Sequence, residues 1–186
     1  MAIPNSSFEL QNIIEQKIDL HNRTIYLMGE ISEETLEWFL PTFNLLDKGN
    51  KPITIKLTSG GGDTLIGFAM YDLIKNSKNK VIVEVYGYAY SIAALILEAA
   101  DVRLMTGLSG LLIHDTVAIV QGDHMIHKHV QLQNNANELR RLCNEYYTKI
   151  AQRTGQKIDF IKKLGTEDRV VPSAEALKLG FIDKII

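Results

Sequence analysis

Residues 81–100 read Val-Ile-Val-Glu-Val-Tyr-Gly-Tyr-Ala-Tyr-Ser-Ile-Ala-Ala-Leu-Ile-Leu-Glu-Ala-Ala, and the character of the chain changes inside them. Val81 to Tyr86 is nearly continuous in β-branched residues, the pattern of a strand covered on both faces. Gly87 stops it, and Ser91 opens an alanine- and leucine-rich helix. A serine at such a junction has two readings. Its hydroxyl can cap the helix by accepting from a free backbone N–H. Alternatively it is a nucleophile, placed where free N–H groups and the positive helix end stabilise an oxyanion. Ala89 and Ala93 flank Ser91 where G-x-S-x-G would have glycines, so a hydrolase-type nucleophile elbow is not expected.

Working outward, Ile53 to Leu57 is a strand broken by Gly60-Gly61-Gly62, and Ile66, Met70, Leu73 and Ile74 mark a helix ending near Asn76. The glycines suit a turn or a close backbone approach to a ligand. A Walker lysine is missing, so nucleotide binding is not expected. Upstream, Thr24 to Met28 is a short strand closed by Gly29. Ser32 with Glu33 and Glu34 caps a helix bearing Leu36, Phe39, Leu40, Phe43 and Leu46, kinked at Pro41. Downstream, Leu111 to Ile113 is a buried strand ending in His114, where α/β folds place their ligand crevice; a structural histidine is the rival reading. The longest helix lies at about 124–153. On it Leu132, Ala136, Leu139, Cys143, Tyr146 and Ile150 form one apolar seam, suited to another helix of the same subunit or a neighbour. A final strand spans Phe181 to Ile186. Alternating strands and helices make the class α/β with a mainly parallel sheet.

The 186 residues suit a single domain, 1–186, with an N-terminal arm at 1–22. A formal net charge of -2 gives no basic footprint for nucleic acid. No apolar run approaches the roughly 18 to 20 residues that span a bilayer, Ile92 to Leu97 being the longest apolar helix segment. One cysteine, Cys143, forms no intrachain disulfide, and without a secretory signal the expected compartment is the reducing cytoplasm. Asp123, His124, His127 and His129 are spaced poorly for one helix face, so no metal and no cofactor is expected.

From about Arg23 onward the chain resembles the Clp protease proteolytic subunit (ClpP) family of serine peptidases. The family's Gly-Glu-Ile strand end is matched by Gly29-Glu30-Ile31, and its Ser-Pro-Gly-Gly loop by Ser59-Gly60-Gly61-Gly62, followed by Tyr71-Asp72. Its Gly-x-Ala-x-Ser motif is matched by Gly87-Tyr88-Ala89-Tyr90-Ser91, and its histidine segment by Leu112-Ile113-His114. Thr154-Gly155-Gln156, Asp168-Arg169, Ser173-Ala174-Glu175-Ala176 and Gly180-Phe181-Ile182-Asp183 follow in order. The resemblance implies a ClpP/crotonase-like fold of repeated β-β-α units with a long protruding handle helix. It implies Ser91 as nucleophile, His114 as base and acid, and Asp168 as orienting carboxylate. Gly62 and Ile92 would supply the oxyanion N–H groups, and Arg169 a contact between rings. The implied function is a serine endopeptidase acting on peptides or unfolded proteins inside a self-compartmentalising homo-oligomer of stacked, heptameric rings.

The departures also inform. Tyr90 stands where the family has a small residue, and Asp115-Thr116 where it has Gln-Pro. Val117-Ala118-Ile119 replace glycines beside the substrate groove. Thr54 and Lys56 replace aromatics of the pocket that docks an AAA+ unfoldase, so docking of the usual kind is not expected. These features point to a divergent, phage-type member, which would act in its host's cytoplasm. Two alternatives remain open: a ring subunit that has lost efficient catalysis, and acyl-CoA hydratase or isomerase chemistry on the similar crotonase fold.

Overall fold

The computed structural model describes residues 15, 17–115 and 129–186, with side chains of the last stretch from residue 134 onward. The expected helix around Leu10, Ile13 and Ile14, the start of the long helix before His129, and Val117-Ala118-Ile119 lie outside them. So do Asp123, His124, His127 and the side chains of His129 and Leu132.

One sheet organises the rest. Strands β1 (Ile18–Asp19), β2 (Thr24–Ile31), β3 (Ile53–Gly62), β4 (Val81–Tyr90) and β5 (Val102–Met105) neighbour one another in that order, and β8 (Lys184–Ile185) closes the edge beside β5. β2 to β5 and β8 are parallel, while β1 runs antiparallel to β2. The final strand is shorter than the sequence predicts. Halfway along, β4 changes partner. Its first half pairs with β5, and Tyr88 to Tyr90 pair with β6 (Gly110–Leu112), which in turn pairs antiparallel with β7 (Val171–Pro172). The change falls at Gly87, whose φ of +79° only glycine adopts freely. The Ser109 hydroxyl accepts from Gly87 N–H at 3.0 Å and donates to Val85 O at 3.1 Å, replacing the ladder bonds lost there. Gly87 therefore bends β4 without ending it, contrary to expectation. Likewise β3 runs on through its glycines.

The helices are α1 (Glu33–Asp47), α2 (Thr64–Lys75), α3 (Ile92–Ala99), α4 (His129–Thr154), α5 (Ile158–Glu167) and α6 (Ser173–Leu179). Ser32 caps α1 as expected, and the helix runs from Glu33 to Asp47 with Pro41 inside it. Every residue of α3 is buried, between the sheet and the helices α2 and α4. Phe39 and Phe43 stack at 5.6 Å under the sheet with no exposure. β4 is buried on one face only, which corrects the expectation of a strand covered on both. On the open face Tyr26, Lys56 and Glu84 stand side by side across three strands. There Lys56 Nζ lies 5.9 and 5.5 Å from the Tyr26 and Tyr86 rings, within cation–π range.

A buried ionic cluster ties α3 to the sheet edge. Arg103 of β5 donates to Glu98 Oε2 at 2.6 Å and, through Nη2, to Asp183 Oδ1 at 2.7 Å. One guanidinium thus serves two carboxylates, and Glu98 Oε1 has no partner among the described residues. Burial outweighs the attraction of Arg103 and raises Glu98 from its ordinary 4.5 to about 8. Between those values the folded chain holds a proton that the unfolded chain has released, so stability falls as pH rises through the window. The slope approaches about 1.4 kcal/mol per pH unit for one full proton. Urea unfolding at pH 5.5 and 7.5 checks this: Glu98→Gln should lose less stability over that interval than wild type. Parallel pH dependences would refute it.

Candidate active site

Three strand ends converge at the carboxyl side of the sheet, where open α/β sheets form their crevices. β4 delivers Ser91, β3 delivers the glycine run, and β6 delivers His114. Ser91 N–H donates to Leu112 O at 2.8 Å, fixing the serine beside the segment that carries the histidine.

Ser91 occupies the N-cap position of α3, yet its hydroxyl makes no cap hydrogen bond. Elsewhere the same position is used conventionally: Asp63 Oδ1 accepts from Leu65 and Ile66 N–H at 2.8 and 3.0 Å. The Ser91 backbone is strained, with φ 55° and ψ -128°, values disfavoured for a residue with a side chain. This is the sharp strand-to-helix turn that the missing G-x-S-x-G glycines argue against. The room comes from neighbouring elements. A Cβ on Gly61 would lie 2.7 Å from Ser91 Cβ, and one on Gly67 of α2 would collide with the Ile92 side chain. The small residues that the turn requires sit on β3 and α2 rather than around the serine.

Tyr90 lies over β6. Its hydroxyl would be 3.3 Å from a Cβ on Gly110, and its ring lies 5.1 Å from Tyr88. The residue that departs most from the family's small neighbour is thereby accommodated by a glycine on β6.

Gly62 takes φ +147°, and a Cβ there would collide with Ile31 O. Asp63 N–H donates to Ile31 O at 2.7 Å on the β2 side. Ile92 is the first residue of α3, so its N–H has no partner within the helix.

His114 follows the fully buried Ile113 and is itself half-buried. Its Nδ1 lies 2.8 Å from Asp115 O. A carbonyl can only accept, so Nδ1 carries the hydrogen and a neutral ring leaves Nε2 free as a base. Asp168 is exposed, in a left-handed conformation (φ 46°) at the end of α5. β6 and β7 pair antiparallel, Gly110 with Pro172 and Leu111 with Val171, so the segments leading to His114 and from Asp168 run beside one another at that point. Among the described residues no hydrogen bond joins His114 to Ser91 or to Asp168. Arg169 is engaged in its own chain, donating to Glu175 at 2.7 and 2.9 Å and to Glu167 at 3.0 Å.

Two contacts lie outside the sequence reading. Tyr146 Oη donates to Ser91 O at 3.0 Å, and Tyr147 Oη donates to Asp115 Oδ1 at 2.6 Å. Tyr146 reads from sequence only as a seam residue, and Tyr147 carries no signal beyond its neighbour.

A family model described as Clp protease matches residues 9–186. The chain is 30% identical over 174 residues to the ATP-dependent Clp protease proteolytic subunit 2 of Borreliella burgdorferi, covering 91% of this chain and 85% of that one. It is 31% identical to the subunit of the same name from Treponema denticola, over 89% of this chain and 82% of that one. A solved structure of a ClpP1 point mutant from Listeria monocytogenes superposes with a TM-score of 0.78 at 29% identity, covering 89% of this chain and 91% of that one. The chain therefore belongs to the Clp protease family.

Proposed function

We propose that the protein is a serine endopeptidase with Ser91 as nucleophile, His114 as general base and acid, and Asp168 as the carboxylate that orients the imidazolium. The observation that carries this reading is the uncapped Ser91 hydroxyl on a strained backbone at the start of α3. Strain that costs roughly 1–3 kcal/mol persists where a site uses it. Ser91 Oγ attacks the scissile carbonyl carbon while His114 Nε2 takes its proton. The oxyanion forms against the N–H groups of Gly62 and Ile92. His114 then passes the proton to the leaving amine, and water hydrolyses the acyl-enzyme by the same route. The test is labelling by a fluorophosphonate probe with mapping of the modified peptide. Modification at a serine other than Ser91 overturns the assignment.

A second reading, a catalytically weak ring subunit, is favoured by one observation: His114 is bonded to Asp115 O and not to Ser91 or Asp168. Free enzymes often hold such bonds loosely until substrate arrives; in the peptidase reading Nδ1–H then passes from Asp115 O to Asp168, so this arrangement does not outweigh the serine geometry. No observation favours the acyl-CoA reading.

The reaction is proposed to occur inside stacked rings of this chain, heptameric as in the family, in the cytoplasm. Among the described residues no helix is long and apolar enough to cross a membrane. The seam of α4 supports assembly. Tyr146 and Ile150 are buried, Cys143 and Leu139 are half-covered, and Ala136 is exposed. The apolar line thus runs off the subunit toward whatever covers it. Leu139→Asp is expected to lower the native mass in analytical ultracentrifugation with the helical content retained, because the side chain is only partly covered within the subunit. A wild-type monomer at micromolar concentration would end the compartment reading. The relatives' names call them ATP-dependent, which supports an AAA+ unfoldase as partner. With Lys56 held between Tyr26 and Tyr86, an apolar docking loop would meet a charge, so docking in the family's usual way is not part of the proposal.

A further inference from the structure

We propose that Tyr146 and Tyr147, consecutive on α4, are positioning residues of this site, the first setting the oxyanion N–H and the second the segment of the general base. The inference rests on the peptidase reading above.

Tyr146 is 3% exposed and its hydroxyl reaches Ser91 O at 3.0 Å. The same oxygen accepts from Ala94 N–H at 3.0 Å, and Ser91 N–H is held by Leu112 O. The Ser91–Ile92 peptide is therefore gripped from two sides on its carbonyl. A trans peptide directs its C=O and N–H oppositely. Fixing the carbonyl toward α4 thus turns Ile92 N–H away from it, to the side where the oxyanion would form. Removing the phenol oxygen does not orphan the carbonyl, because Ala94 remains. What is lost is the lateral restraint on the peptide plane.

Tyr147 is 2% exposed, and its ring sits against Gly165 of α5, where any Cβ would collide with it. From that seat its hydroxyl donates to the Asp115 carboxylate, while the Asp115 carbonyl holds His114 Nδ1. One residue is thus gripped by its side chain, which steadies the segment that presents His114 and stays in place when Nδ1–H passes from the Asp115 carbonyl to Asp168 in the working triad. Burial, chiefly, pushes both phenols well above their ordinary range, and for Tyr147 the Asp115 carboxylate adds to it, so both remain donors. The rings pack edge to face at 5.3 Å. A shift of α4 along its axis would move both contacts together.

The test compares Tyr146→Phe, Tyr147→Phe, Asp115→Asn and Asp115→Ala on a fluorogenic peptide, with kcat expressed per titrated active site and melting followed in parallel. Tyr146→Phe is expected to lower kcat roughly tenfold, a fraction of what loss of a whole oxyanion donor costs, with KM within about twofold. Tyr147→Phe and Asp115→Ala are expected to lower kcat, and Asp115→Asn, which keeps an acceptor oxygen for Tyr147, to retain more activity than Asp115→Ala. Should Tyr146→Phe fail to fold, the Tyr147 and Asp115 variants decide. Unchanged kcat per site in the Phe variants, with only the melting point lowered, overturns the positioning role and leaves the peptidase reading standing. A wild-type protein with no Ser91-dependent turnover overturns both.

Discussion

Replacing Ser91 with alanine is expected to lower peptide turnover by roughly 10⁴-fold or more, because nucleophile, base and orienting carboxylate act as a unit. Stability should stay within about 0.5 kcal/mol of wild type. The second half of this expectation gives the experiment its force. A serine that caps a helix loses about 1 kcal/mol on truncation to alanine. Ser91 stands at the cap position of α3 without making the cap bond, so its hydroxyl contributes nothing that alanine would remove. Alanine also inherits the same φ of 55°, with the same steric cost. The two readings of the serine that the sequence leaves open therefore predict opposite pairs of results. A nucleophile loses turnover and keeps stability, whereas a cap loses stability and keeps turnover. Purified variant and wild type, compared by fluorogenic peptide assay and urea unfolding, separate them in one experiment. Retained turnover in Ser91→Ala would remove the nucleophile assignment altogether.

What could be read in advance follows physical lines. The alternation of strands and helices was legible because β-branched runs and helical spacing are local signals. The serine junction and the histidine at a strand end were legible because position along a parallel sheet is itself informative. The orienting role proposed for Asp168 is not readable from its surroundings, an exposed turn between short elements, and rests on resemblance alone. Gly87 and the glycine run read as strand ends where the structure continues the strands, for a related reason. Glycine breaks a strand only if the lost ladder bonds go unreplaced. Here Ser109, 22 residues from Gly87, replaces them. The open face of β4 was hidden because Ile82, apolar and half-buried, lies on it between the buried Val81 and Val83. Strand β5 carries no clear sequence signal, since Val102 to Met105 includes a charge, and the cluster with Glu98 and Asp183 explains why Arg103 is buried. Tyr146 and Tyr147 stayed invisible because a buried phenol on an apolar seam looks like core. Its hydroxyl partner comes from 55 residues away in one case and 32 in the other.

The glycine run turns a weak sequence signal into a graded prediction. Read as a triplet, Gly60-Gly61-Gly62 says only that the backbone needs freedom there. In the fold the three positions differ in kind. Gly60 has no atom within 4 Å of where a Cβ would stand and no left-handed φ, so Gly60→Ala should be neutral to within about 0.5 kcal/mol. Gly61 takes φ +96°, and its Cβ would press on Ser91 Cβ at 2.7 Å and Tyr90 O at 2.9 Å. Gly61→Ala should cost roughly 1–3 kcal/mol and displace the nucleophile, so turnover falls far more than stability does. Gly62 takes φ +147°, and its Cβ would meet the Ile31 backbone, with Ile31 C and N both at 2.9 Å. Backbone in a paired strand cannot swing aside as a side chain can, so this collision must separate β2 from β3 or turn the Gly62 peptide. Gly62→Ala is expected to cost about 3 kcal/mol or more and to remove the oxyanion N–H with it, lowering turnover of any folded fraction by at least ~10²-fold. Urea unfolding of the three variants should rank them 60, 61, 62 in increasing cost, with turnover lost at 61 and 62 and kept at 60. Equal costs at all three positions, or an active Gly62→Ala protein, would mean that the backbone around Ser91 is not held as the geometry requires.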